Sequence, residues 1–156
     1  GGNFVRLQNN ELINNNASVA IMIGRFSNNN ELIKNRVYGG TFGGTGPMGG
    51  GGNFGYPVYL QGSNNLIEGN EIYNFPSWGI HGYSGYAEKP NYNIIRSNII
   101  HDFGSGDSRS SGVLIHGGNG NQVYNNVIFN GSQGITTGPA ATNTQIYNNN
   151  VYNMLK

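Results

Sequence analysis

Three histidines occur in this 156-residue chain, and two of them sit where an extended strand could aim them outward together. His81 and Tyr83 alternate in NFPSWGIHGYSG, so a strand would put both on one face. His116 closes a second alternating run, VLIH. Imidazole titrates near neutrality and a phenol can protonate a leaving oxygen. His81, Tyr83 and His116 could therefore take a proton from one atom and return one to another. Beside a carboxylate such a step needs a cation, which Arg109 or Arg25 could supply. Tyr59, Gln61, Trp78 and Asp107 are the accompanying candidates for holding a substrate. The plainer reading is that these rings stack on one another, or against a flat ligand, and do no chemistry.

These residues lie far apart in the chain, so the fold must bring them together. The composition holds 28 Asn and 27 Gly, which favour turns over helices. Apolar residues and tyrosines are plentiful, which argues against disorder. The formal net charge of +1 gives a nucleic acid or a membrane surface no electrostatic hold. Without cysteine there is neither a disulfide frame nor a thiolate metal site. No apolar run reaches membrane-spanning length. The chain opens on Gly1-Gly2, without a signal peptide or an initiator Met, so it reads as a processed product or a piece of a longer solenoid.

A repeat supplies the organisation. The pattern apolar-x-x-Asn-x-apolar occurs six times, with its asparagines at positions 10, 35, 70, 98, 126 and 149. A second apolar pair precedes most units, as in Ile21/Ile23, Val58/Leu60 and Val113/Ile115. Each unit thus reads as three short strands, with the Asn at a bend where its side chain can bond to backbone and tolerate unusual φ. One unit cannot bury a face alone, so residues 1–156 are expected to stack as one all-β parallel solenoid of about six coils. Coils about 4.8 Å apart would align equivalent residues in columns, the asparagines forming an amide ladder. A leucine-rich repeat also ends in L-x-x-N-x-L, but it wants Leu two residues before the first of these. Here that place holds Val5, Asn30, Asn65, Asn93, Asn121 and Thr144.

The columns account for most charges. Glu11, Arg36 and Glu71 alternate in sign, and Glu68 falls beside Arg96. His101 falls in a column of rings with Tyr38, Tyr73, Phe129 and Tyr152. Asp102 replaces Asn at a turn, so the tempting His101-Asp102 pair is structural. In the strand preceding each repeat, the outward residues are Met22, Tyr59, His81, Leu114 and Thr136, then Gly24, Gln61, Tyr83, His116 and Gly138. Three insertions, YGGTFGGTGPMGGGGNFGYP, FGSGDSRSSG and YSGYAEKPNY, flank this strand and could wall a groove. The Gly-rich stretch 39–55 lacks the Gly-Lys-Ser/Thr of a phosphate loop. The Asn16 and Asn130 glycosylation sequons are chance matches in so Asn-rich a chain.

The segments GSNNLIEGNEIYN, NIIRSNIIHD, GNQVYNNVIFN and NTQIYNNNVYN resemble the right-handed parallel β-helix repeats of the pectate-lyase-like superfamily. That resemblance implies a secreted or cell-surface protein engaging a polysaccharide along the groove strand. It also implies a lyase or C5-epimerase acting by proton abstraction, with His81, Tyr83, His116 and Arg109 in catalytic roles. Related lyases often use a Lys or Arg base with calcium, and the outward strand positions here carry no Lys. Calcium would have to draw on Asp107, Asp102 or Glu88, which are scattered. No metal site is expected from the histidines. The alternative is a structural protein whose open coil ends stack into filaments as an end-to-end homo-oligomer.

Overall fold

A computed structural model describes residues 2–13, 19–39, 55–83, 85, 87, 89–104 and 109–155. Every regular element in them is a strand. The strands form three parallel sheets, two of six strands and one of five. Each coil visits the sheets in rotation, as in Leu66–Glu68, Glu71–Phe75 and Ile80–Gly82, followed by Ile94–Arg96 on the first sheet again. This is the expected solenoid. Its register is the one the repeat implies: Leu7, Leu32, Ile67, Ile95, Val123 and Ile146 stand opposite one another. Leu12, Val37, Ile72, Ile100, Ile128 and Val151 do the same on the second sheet. Together with Val58, Ile80 and Val113 of the third sheet, the middle members of these columns form the buried core.

The Asn ladder is present and its internal members are fully used. Asn70 Oδ1 accepts from both the backbone N–H and Nδ2 of Asn35. Asn70 Nδ2 donates to Asn98 Oδ1 and to the Leu32 carbonyl of the preceding coil. Asn98 repeats the pattern with Asn126 and Ile67. One side chain thus bonds to the coils on both sides and leaves no amide atom unpaired, which a buried amide requires.

A second ladder runs at the corner before the first sheet, through Asn30, Asn65, Asn93 and Asn121. These are the residues whose polarity argues against a leucine-rich repeat. Only the stacked coils reveal their purpose. The expected tolerance of unusual φ belongs to the residue before each ladder Asn, not to the Asn itself. Asn9, Lys34, Ser97, Asn125 and Asn148 precede the first ladder at φ between 53° and 58°, with Gly69 at 66°. Asn29, Asn64, Tyr92 and Gly120 do so before the second. Asn and Gly take this left-handed conformation at least cost, which explains much of the composition.

The core also admits two rings, Phe75 and Phe103, stacked at 5.7 Å. Gly112 leaves them room, since a Cβ there would strike Ile128 and approach Phe103.

The ladder can be tested rung by rung. Asn98→Ala strips the acceptor from two buried Asn70 donors and should destabilise by about 2–4 kcal/mol in urea unfolding. Asn10→Ala, at a rung with a ladder neighbour on one side, should cost clearly less. In the second ladder Asn121 Nδ2 and the buried Thr144 Oγ1 both lack a partner among the described residues. Thr144→Asn would extend that ladder and should stabilise by about 1 kcal/mol in the same measurement.

Candidate functional site

The third sheet holds the sequence candidates. Met22 pairs with Tyr59, Tyr59 with His81, His81 with Leu114, and Leu114 with Thr136. Their side chains alternate with inward Val58, Ile80 and Val113, so they lie on the outer face. The next outward row is Gln61, Tyr83 and His116, and the Tyr83 and His116 rings are 5.3 Å apart. Beyond His116 the register shifts by one residue: Ile115 stands opposite Thr137, but Gly117 stands opposite Ala140. The bulge places Gly138 against the His116 backbone, where a Cβ would collide with its carbonyl oxygen.

His81 is the hub of the ring cluster. Its imidazole lies 4.8 Å from the Tyr56 ring, 5.1 Å from Tyr59 edge-on, 5.2 Å from Trp78 in a stack, and 5.6 Å from Tyr83. Tyr56 is the member that the sequence does not reveal. Alternation from Val58 assigns it to the inner face, yet its ring reaches Tyr59 and Trp78 as well as His81. Aromatic enrichment at the start of the strand Tyr56–Leu60 is the signal pointing to it.

The expected open patch is partly closed. Tyr56, Tyr59, Gln61 and His81 are buried, with only 2% of Gln61 and 7% of His81 exposed. Trp78, Tyr83 and His116 are half-buried and form the reachable part. Two buried polar atoms in this cluster, Gln61 Nε2 and His81 Nδ1, have no hydrogen-bond partner among the described residues. Burial, and secondarily the nearby His116, pulls the His81 imidazole down to about 3. It is therefore uncharged at neutral pH and a weak proton acceptor, unlike a base poised near the working pH.

The other candidates belong to other elements. Arg109 is exposed in a turn just before the strand Ser111–Asn119. Asp107 and Glu88 lie outside the described residues, as do much of the three insertions and Asn16. Among the described residues, no group of three or more His, Asp or Glu is placed to hold a metal ion. His101 sits on the second sheet, stacked between Tyr73 at 5.0 Å and Phe129 at 4.8 Å, both within 2° of parallel. Tyr38 and Tyr152 continue the column at either end. Asp102 Oδ2 is 2.8 Å from His101 Nδ1, and the backbone of Asp102 is left-handed, as its turn column requires. The His101 and Asn130 contacts hold the Asp102 carboxyl below its ordinary range. The charged columns also form as expected: Arg36 bonds to Glu71 at 2.9 Å, and Arg96 bonds to Glu68 at 2.8 Å.

Among known proteins, a family model described as a right-handed β-helix region matches residues 51–155. No curated protein and no solved structure matches the chain.

The division between sheets can be tested at His101. His101→Phe continues the ring column and should leave the unfolding free energy within about 0.5 kcal/mol of the parent, as surface changes that keep their packing do. A much larger loss in urea titration would mean that the polar contacts to Asp102 and Glu71, not the stack, carry this position.

Proposed function

Since the chain belongs to the right-handed β-helix family, we propose that its third sheet is a polysaccharide-engaging face of the pectate-lyase-like kind. The carrying observation is the cluster on that sheet: half-buried Trp78, Tyr83 and His116, their rings packed against one another and on buried His81 and Tyr59. Aromatic rings give sugar rings a flat apolar surface, and a few placed polar groups fix orientation. Neither of the other outer faces offers this combination in the described residues. Their rings and charges are taken up by like or opposite neighbours in the same column.

In this reading the protein works outside the cell, where such polymers occur. Trp78, Tyr83 and His116 supply the contacts within reach, while Tyr59 and Gln61, which are buried, back them. Arg109 belongs to the flanking turn. Elimination or C5 epimerisation needs a proton acceptor and a proton donor; the reachable His116 imidazole is the candidate for the first and the Tyr83 phenol for the second, since His81 is buried and weakly basic. Binding is therefore the primary activity proposed, with proton abstraction on a uronic-acid chain as its extension.

The test is a panel of plant, algal and bacterial polysaccharides, read by affinity electrophoresis and by ultraviolet absorbance of unsaturated products. At least one polymer should bind, and Trp78→Ala or Tyr83→Ala should weaken it about tenfold, the equivalent of about 1.4 kcal/mol. Absence of binding across the panel would remove this reading, and an absorbance rise would add elimination to it.

A further inference from the structure

We propose that His81 is a positioning residue, an uncharged imidazole that holds Trp78 and Tyr83 on the third sheet, and that acid takes this ring platform apart by protonating it. This concerns regulation of the face described above, and it rests on that reading only for what the platform would release.

The inference starts from enclosure. Four aromatic rings surround His81 at 4.8 to 5.6 Å. Its strand neighbours are Tyr59 on one side and Leu114 on the other. Among the described residues, the titratable groups facing it are the phenols of Tyr56, Tyr59 and Tyr83 from its own and the preceding coil, and the imidazole of His116 from the following one. None of these side chains is a carboxylate. Burial, and after it His116, lowers its proton affinity, and its Nδ1 has no partner among the described residues. A proton there would create a charge removed from water, next to a second imidazole, with no described carboxylate to balance it.

The neutral ring has a role the cation cannot fill. Trp78 stacks on it within 19° of parallel, and Tyr83 packs against its edge while reaching His116. The two half-buried rings that would meet a ligand are thus seated on His81. Its low proton affinity fixes the direction of the effect. An imidazole in the unfolded chain takes a proton near 6.5, whereas in the folded chain it resists down to about 3. Stability is therefore complete above the unfolded value and falls as pH drops below it. The loss from this one group approaches tenfold in the folding equilibrium per pH unit. A histidine held by a carboxylate would behave in the opposite sense.

Trp78 is the only tryptophan, so its fluorescence reports on this cluster alone. The experiment compares the parent with His81→Phe and His81→Gln in urea unfolding between about pH 7.5 and about pH 4.5, with Trp78 emission of the folded proteins over the same range. The parent should lose stability on acidification by a larger factor than either variant, the difference approaching tenfold per unit below the unfolded imidazole value. Folded-state emission should show no His81-dependent step above about pH 5. Should both variants fail to fold, ¹⁵N imidazole shifts of the parent decide the matter: His81 should remain neutral while the protein stays folded. Equal pH slopes in parent and variants, or titration of His81 between about pH 6 and 7 in the folded protein, would overturn the proposal. No polysaccharide enters these measurements, so failure of the glycan reading leaves their outcome unaffected.

Discussion

The amide of a buried asparagine, bonded to the rung above and the rung below, is the constraint on which this molecule depends. A backbone ladder alone would tolerate a slip of one residue between coils, at the expense of turning every side chain to the other face. The Asn amides forbid that slip locally. Asn70 must meet Asn98 and Asn35 at once, and its Nδ2 must also find the Leu32 carbonyl. Two such columns, at two of the three corners, fix the phase of each coil before any core contact is counted. Each buried bond is worth about 1 kcal/mol net, while a missing partner costs more than a made one gains. The ladders therefore act through specificity at least as much as through added stability.

Once the phase is fixed, like stacks on like. Rings follow rings on the second sheet from Tyr38 to Tyr152, and Tyr124 stacks on Tyr147 on the first at 4.8 Å. Carboxylates meet guanidinium groups in Arg36–Glu71 and Arg96–Glu68. These exposed ion pairs contribute little each, so they decorate the register rather than create it. Insertions of different length between repeats are tolerated because they leave the corners untouched, which is why the ladder asparagines can be 23 or 35 residues apart and still align.

The columns are legible in the sequence because identical chemistry recurs at one position of every unit. The core, the first ladder, the ring column around His101 and the charged pairs all follow from that recurrence. The second ladder is equally regular, but in one dimension Asn30, Asn65, Asn93 and Asn121 look like departures from another repeat instead of a column of their own. Tyr56 is hidden for a different reason: strand alternation predicts the face of a residue inside a strand, and it fails at the first residue, where the chain is still turning. Burial of Tyr59, Gln61 and His81 is beyond reach as well. Periodicity says which side of a sheet a residue occupies, and says nothing about what packs over that side.

The third sheet departs from the rule that governs the other two. Its outward column runs Met22, Tyr59, His81, Leu114, Thr136, with no two alike. Mismatched neighbours cannot satisfy one another as Asn satisfies Asn, and it is here that Gln61 Nε2 and His81 Nδ1 lack partners among the described residues. The bulge at His116 breaks the register on the same face. In a solenoid whose stability comes from repetition, a strand face that gives repetition up bears a cost that stacking does not return. Sites that violate the local rules of a fold are where function is expected to lie. Because burial has also lowered the proton affinity of the central imidazole, the violation favours a face built to hold something over one built around His81 as a base.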